Sequence, residues 1–303
     1  MKIAITTSSF AKFSQEPLQL LAARGIEYVL NPHGRALREE EIVPLLEGCV
    51  GVAAGTEPYT KAVLAALPGL KVISRCGVGM DNVDLPAAKD LGIAVCNTPE
   101  GPTEAVAELV LGLALDLLRG ISLQDRAMRA GVWQKHMGSL LAGRRVGIVG
   151  MGRIGRAVQK KFDLLGAITA YADPYVENGP CQRFELDELL ASSELISLHV
   201  AGPAKGEGPL LDARRVNLLP AGAWLINCAR GGVVDEAALF ARLKDGSLAG
   251  AALDVFEEEP YTGPLLDLEN TLLTPHIGSY ARQARAKMEE DTILNLLQAL
   301  GLN

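Results

Sequence analysis

Three glycines, Gly150, Gly152 and Gly155, follow the apolar run Val146, Ile148 and Val149 in the spacing G-x-G-x-x-G. A strand, a glycine turn and a helix in that order can bind a dinucleotide. Gly150 permits the tight turn, Gly152 lets the backbone approach a pyrophosphate, and Gly155 lets the helix pack closely on the strand. The helix start, with Arg153 and Ile154, then presents free N–H groups to the phosphates. Asp173 closes the next strand, 18 residues beyond Gly155 (173 − 155). A carboxylate there accepts hydrogen bonds from the adenosine ribose hydroxyls and repels a 2′-phosphate, so NAD is expected rather than NADP.

Three further segments carry residues capable of chemistry where strand-like runs end: Ala229-Arg230-Gly231-Gly232, Asp254 through Pro260, and Thr274 through Ser279. In an open parallel sheet ligands sit beyond the carboxyl ends of the strands, which makes these endings the expected site. Arg230 offers a planar fork that matches a carboxylate with two hydrogen bonds. His276 offers a group whose reference pKa of ~6.5 leaves both protonation forms available near neutrality. Each has a plainer reading: Arg230 as a turn residue paired to a surface acid, Glu257 to Glu259 as a solvated charge run, His276 as a hydrogen-bonded structural histidine. His199 ends another strand on the same side and reads mainly as scaffold. Cys228 reads as packing, because no histidine lies near it in motif form. His33 and His136 read as surface residues.

The elements that must position these groups follow a βαβ rhythm. Strand-like runs at Ile3–Thr6, Gly51–Ala53 and Val72–Ser74 alternate with helical ones at Leu18–Arg24 and Lys61–Leu67, which implies a parallel sheet. The turn-forming Asn97-Thr98-Pro99 precedes a helical stretch from Thr103 to Leu118. Apolar residues cover nearly the whole circumference of that stretch, so it should be buried on most sides, in part against a second subunit. A second βαβ series runs through Leu195–His199, Ala223–Cys228, Ala249–Asp254 and Asn270–Thr274, and a last helix from Arg282 to Leu300 should return to the first domain. The expected fold is α/β, with two doubly wound parallel-sheet domains. Residues 1–98 and 280–303 form a discontinuous flavodoxin-like substrate domain, and residues 99–279 form a Rossmann-type cofactor domain inserted in it.

Composition sets outer bounds. With 303 residues, 49% hydrophobic and 21% charged, the chain can fill two cores,. A net charge of −7 and the lack of a Lys/Arg stripe argue against a nucleic-acid partner,. The five cysteines (Cys49, Cys76, Cys96, Cys181 and Cys228) are scattered and odd in number, with no C-x-x-C pair. Neither a disulfide framework nor a metal site is expected, and the thiols read as buried in a reducing compartment. The chain opens on MKIAIT, which reads as a strand, and shows neither a signal peptide's core nor an apolar span of about 18 residues. A cytoplasmic location without membrane contact is expected.

Taken together, the glycine motif, the three strand endings and the loop Ser74-Arg75-Cys76-Gly77-Val78-Gly79-Met80-Asp81-Asn82-Val83-Asp84 resemble the D-isomer-specific 2-hydroxyacid dehydrogenases over essentially the whole chain. The loop resembles the phosphoglycerate dehydrogenase branch, in a short form without a regulatory domain. The resemblance implies an NAD-dependent enzyme interconverting a small anionic 2-hydroxy acid and its 2-keto acid. It implies that Arg230 binds the substrate carboxylate and carbonyl, that His276 is the acid/base, that Glu259 pairs with it, and that Asp254 supports the site. It further implies that Arg75 meets a substrate phosphate, that Val78 and Gly79 offer backbone N–H groups to the carboxylate, and that His199, Cys228, Ala229, Asp254 and Gly278 line the cofactor. The chemistry is consistent, because reduction of a keto acid needs a proton for the developing alkoxide and a cation for the carboxylate, and a carboxylate beside an imidazole favours its acid form.

Two segments depart from the family pattern: Val200–Gly208 lacks the usual threonine-bearing stretch, and Gly131–Gly138 is short. Two other functions compete. One is a glyoxylate or hydroxypyruvate reductase, with Arg75 only tying down its loop; the other, of a different class, is a dinucleotide-sensing corepressor-like binding protein. A homodimer through the helix at Thr103–Leu118 is expected.

Overall fold

The structure, a computed structural model, describes all residues except Lys205 and Asn303, so that part of the unusual 200–208 stretch lies outside the described residues. The chain divides into two units, Met1–Pro102 with Ser279–Asn303, and Thr103–Gly278.

The first unit is built on a five-stranded sheet: β1 (Lys2–Ile5), β2 (Glu27–Leu30), β3 (Gly51–Ala54), β4 (Val72–Arg75) and β5 (Ala94–Asn97). All are parallel, in the order β2-β1-β3-β4-β5, the flavodoxin-like order. Its helices are α1 (Glu16–Ala22), α2 (Glu39–Leu46), α3 (Lys61–Ala65) and α4 (Leu85–Asp90). Strand alternation separates two cores. Ala4, Val52 and Ile73 join Ile42, Leu46 and Leu64 on one face, whereas Ile3, Ile5 and Val72 join the last helix on the other. A fully buried side chain of this kind contributes about 1.5 to 3 kcal/mol through removal from water. β2 was not read from the sequence: EYVL is a mostly exposed edge strand, so it lacks the buried alternation that marks a strand,.

The second unit opens with α5 (Gly101–Arg119), whose first two residues belong to the first unit, and α6 (Ile121–Arg129). It continues through β6 (Arg145–Val149), α7 (Arg153–Leu164), β7 (Ile168–Ala172), β8 (Gln182–Arg183), α8 (Leu186–Ser192), β9 (Leu195–Leu198), α9 (Ala213–Val216), β10 (Trp224–Asn227), α10 (Glu236–Lys244), β11 (Gly250–Leu253) and β12 (Thr271–Leu273). The seven strands lie in the order β12-β11-β10-β9-β6-β7-β8, all parallel. That is the Rossmann order carried one strand further, with the switch point between β9 and β6. The last helix, α11 (Arg282–Ala299), belongs to the first unit, where it packs across β3, β4 and β5.

The apolar excess of α5 is largely taken up inside its own unit. Val106, Ala107, Val110, Leu113, Ala114 and Leu118 are buried in the core that holds Val146 and Ile148, and Glu104, Glu108, Gly112 and Arg119 form the exposed edge. The larger exposed apolar groups lie beyond it, at Trp133 (81% exposed) and Met137 (94%). Of the five thiols, Cys49, Cys76 and Cys228 are buried, whereas Cys96 and Cys181 are only partly covered. No helix among the described residues is long and apolar enough to cross a membrane, and no group of three or more metal-ligating side chains occurs among them.

Candidate active site

The glycine turn has the form its spacing requires. Gly150 follows β6 at φ +92°, and a Cβ there would lie 2.3 Å from the carbonyl oxygen of His199. A Cβ on Gly155 would lie 2.0 Å from the Gly150 carbonyl oxygen, so only glycine lets α7 start this close to the strand,. Around Gly152, the cap residue of α7, the space is open. A pyrophosphate fits that opening, where the first N–H groups of a twelve-residue helix are turned outward,. Arg153 and Ile154 open the helix itself.

Asp173 directly follows β7. Its Oδ2 accepts from the Met151 N–H at 2.7 Å, and its Oδ1 accepts from Tyr175 N–H at 2.7 Å and Val176 N–H at 3.1 Å. The carboxylate therefore braces the glycine turn.

Across the switch point, His199 directly follows β9. Its Nε2 lies 2.8 Å from the Ser197 hydroxyl. Its Nδ1 is buried with no hydrogen-bond partner. Burial pushes the imidazole down to about 3, so the ring is neutral,. Burial and the nearby Asp254 charge push the Cys228 thiol strongly upward. A thiol held protonated is no nucleophile.

The catalytic candidates meet at the carboxyl ends of β10, β11 and β12. Asp254, just after β11, is 1% exposed and accepts from the Thr274 hydroxyl at 2.6 Å, from Ile277 N–H at 2.8 Å and from Gly278 N–H at 2.8 Å. Its role is thus to fasten the loop that carries His276 and Gly278. Within that loop His276 sits at φ +54°, a backbone region unfavourable for a residue with a Cβ,. The Asp254 bonds on either side offset that cost. His276 Nδ1 lies 2.8 Å from Glu259 Oε2, and Glu259 Oε1 accepts from Phe256 N–H at 3.1 Å. A carboxylate on Nδ1 fixes the tautomer and leaves Nε2 to exchange a proton with a ligand. His276 and Glu259 remain partly open, with side chains 50% and 37% exposed.

Arg230 follows β10, with Ala229 buried behind it. One guanidinium N–H donates to the Ala229 carbonyl at 2.7 Å. Two holding roles here were not read from the sequence, although Thr274 opens one of the segments marked there. Asn227, 2% exposed, donates to the Arg230 carbonyl at 3.0 Å and accepts from Ala229 N–H at 3.0 Å, and Thr274 holds Asp254. Both are polar residues at the inner end of an apolar strand, which was the available signal.

In the first unit, Arg75 ends β4. Its guanidinium is folded back on its own loop, donating to the Cys76 carbonyl and lying against Gly77. The loop beyond is pinned by Thr98, whose hydroxyl accepts from Gly77 N–H at 2.9 Å, and by Asn97, which donates to the Val78 carbonyl at 2.7 Å. Val78 is exposed and Gly79 partly so. His33 and His136 are both exposed.

Comparison with known proteins agrees with this geometry. Residues 111–278 match the model of the D-isomer specific 2-hydroxyacid dehydrogenase, NAD binding domain. The D-3-phosphoglycerate dehydrogenase of Archaeoglobus fulgidus is 34% identical over 300 residues, covering 95% of this chain and 56% of the relative. The glyoxylate reductase of Thermofilum pendens is 40% identical over 261 residues, covering 81% of this chain and 76% of the relative. The crystal structure of the TT0316 protein from Thermus thermophilus superposes with a TM-score of 0.92 at 36% identity, covering 99% of this chain and 97% of that one. The chain spans about half the length of the phosphoglycerate dehydrogenases it matches. A glycine turn at a switch point, a buried aspartate fastening a histidine loop, and a match over residues 111–278 have one reading in common: this chain belongs to the D-isomer specific 2-hydroxyacid dehydrogenase family, whose NAD-binding domain it carries.

Proposed function

We propose that the protein interconverts a D-2-hydroxy acid and its 2-keto acid, and that the acid is a phosphorylated three-carbon one, 3-phosphoglycerate with its keto form. The observation that carries the reading is the His276–Glu259 pair, 2.8 Å long, on a loop fastened by Asp254 at the carboxyl edge of the sheet, where the β10 strand also leads into Arg230. Bound NADH supplies the hydride for reduction. His276, with Nδ1 committed to Glu259, delivers the proton from Nε2 to the developing alkoxide and takes it back in the oxidative direction. Arg230 binds the carboxylate and polarises the carbonyl. Val78 and Gly79 add backbone donors to the carboxylate, and Arg75 meets the phosphate.

The cofactor contacts we assign are Gly150, Gly152, Arg153, Ile154 and Gly155 at the pyrophosphate, Asp173 at the adenosine ribose, and His199, Cys228, Ala229, Asp254 and Gly278 around the nicotinamide half. The carboxylate of Asp173 favours NAD over NADP.

A second reading is a glyoxylate or hydroxypyruvate reductase. Two observations favour it: Arg75 is folded onto the Cys76 carbonyl, and the glyoxylate reductase relative is 40% identical over 76% of its own length. In that case Arg75 only ties its loop. The test is a panel of 2-keto acids, phosphorylated and not, with NADH and NADPH. Preference for the phosphorylated keto acid with NADH supports the first reading; preference for glyoxylate or hydroxypyruvate moves the assignment to the second. No turnover with any keto acid would leave a dinucleotide-sensing binding protein. The scattered free thiols accord with a cytoplasmic location,, and the apolar groups exposed beyond α5 accord with a homodimer,.

A further inference from the structure

Glu57 lies just beyond β3 and is 1% exposed, with Thr6, Gly55 and Tyr59 as its side-chain hydrogen-bond partners among the described residues. Its Oε1 is crowded with donors: the Tyr59 hydroxyl at 2.7 Å, the Gly55 N–H at 2.9 Å and the hydroxyl of Thr6, which follows β1. Its Oε2 is buried with no hydrogen-bond partner. It lies where a Cβ on Gly55 would come within 2.6 Å, so the glycine makes room for it. A protonated acid would place its proton on Oε2, where nothing accepts it, whereas a carboxylate suits three converging donors. Burial first, and then the Glu57 charge, push the Tyr59 hydroxyl well above its ordinary range; this keeps it an O–H donor, and the Arg75 charge pulls it the other way.

A buried carboxylate loses its hydration, and the three donors on Oε1 offset part of that cost,. The turn it anchors is the one on which the 76–84 loop rests. Asn82 donates to the Glu57 carbonyl at 2.7 Å and the Gly55 carbonyl at 3.3 Å. Tyr59 N–H donates to the Asn82 carbonyl at 2.7 Å, and Asp84 N–H donates to the Tyr59 carbonyl at 3.0 Å. Two more buried polar groups without a hydrogen-bond partner among the described residues, the Thr7 hydroxyl and the Ser74 hydroxyl, occur at the same ends of β1 and β4.

We propose that Glu57 is a positioning residue for substrate binding: through Thr6, Gly55 and Tyr59 its carboxylate fixes the turn that carries loop 76–84. The inference rests on the reading above that this loop and Arg75 bind the substrate. It assigns no contact with substrate to Glu57 itself.

The test pairs two measurements on the full chain. In Glu57→Gln, backbone hydrogen exchange at Tyr59, Val83 and Asp84 is expected to quicken about tenfold, the scale of one lost charge-assisted hydrogen bond. In the same variant KM for the phosphorylated keto acid should rise about tenfold with kcat within about twofold and NADH affinity unchanged. Tyr59→Phe, which removes one donor and keeps the charge, should show a smaller change in the same two quantities; if Glu57→Gln does not fold, this variant decides the matter. Unchanged exchange in a folded variant overturns the proposal, as does a fall in kcat and NADH affinity in step with KM. Arg75→Ala separates the two claims: if it affects phosphorylated and unphosphorylated substrates alike, the phosphate reading fails while the exchange measurement still decides the role of Glu57.

Discussion

At the scale of single residues the division of labour is testable. Because His276 Nε2 is the proposed proton donor and the imidazole lies apart from the glycine turn in sequence and strand, His276→Ala should lower kcat by about a hundredfold or more and leave NADH affinity nearly intact, as checked by steady-state rates and fluorescence titration. Asp173, the proposed ribose contact, differs because its carboxylate also accepts three backbone N–H groups. Asp173→Ala should therefore weaken NADH binding by about tenfold and relax discrimination against NADPH, read as two dissociation constants. Arg75 carries the substrate question. A charge-assisted contact of ~1.5 to 3 kcal/mol corresponds to roughly a ten- to hundredfold loss in kcat/KM for the phosphorylated substrate in Arg75→Ala, with little change for glyoxylate.

At the scale of elements, the ends of the strands carry most of the information. The glycine spacing marked β6 and α7, and Arg230, Asp254 and His276 marked the ends of β10 to β12, because chemistry concentrates where parallel strands stop. Groups that act by holding others were less visible. Asn227 and Thr274 look like ordinary polar residues until the loops fold back on them, and Glu57 sits in a stretch that the sequence gives no reason to separate from a surface turn. The edge strand β2 and short helices such as α8 went unread for a related reason: few of their residues are buried, so periodicity is faint,. β9 offers a prediction of its own. His199, which directly follows it, is held neutral by burial, down to about 3 against an unfolded value near 6.5,. The unfolded chain thus binds the extra proton first, so the stability this site contributes is full above about pH 6.5 and is lost as pH falls toward 3. His199→Gln should flatten the fall of Tm across that acid range, measured by thermal melts at successive pH values.

At the scale of the whole molecule, the proposed homodimer is best sought beyond α5. That helix places its apolar residues mostly in its own unit, whereas Trp133, Met137 and Leu140 (70% exposed) stand out to solvent. Light scattering at micromolar concentration should give about twice the 32.1 kDa of one chain,. Replacing Trp133 and Met137 by serine should shift the population to monomer without lowering Tm by more than a few degrees, since neither side chain belongs to a core.

The return of α11 to the first unit bears on the order of events during synthesis. The face carrying Ile293, Leu296 and Leu297 covers Ile3 and Ile5, so the first sheet emerges from the ribosome long before its cover exists. The unit of residues 103 to 278, an uninterrupted 176 residues (278 − 103 + 1), can close its core as soon as it is made. Joining the two ends of the first unit then costs the entropy of a long closure, which a folded insert shortens by bringing its own ends to fixed positions. A nascent chain halted before Arg282 should therefore show protease-resistant β6 to β12 and protease-sensitive β1 to β5, with resistance of the early strands appearing only once α11 has been added.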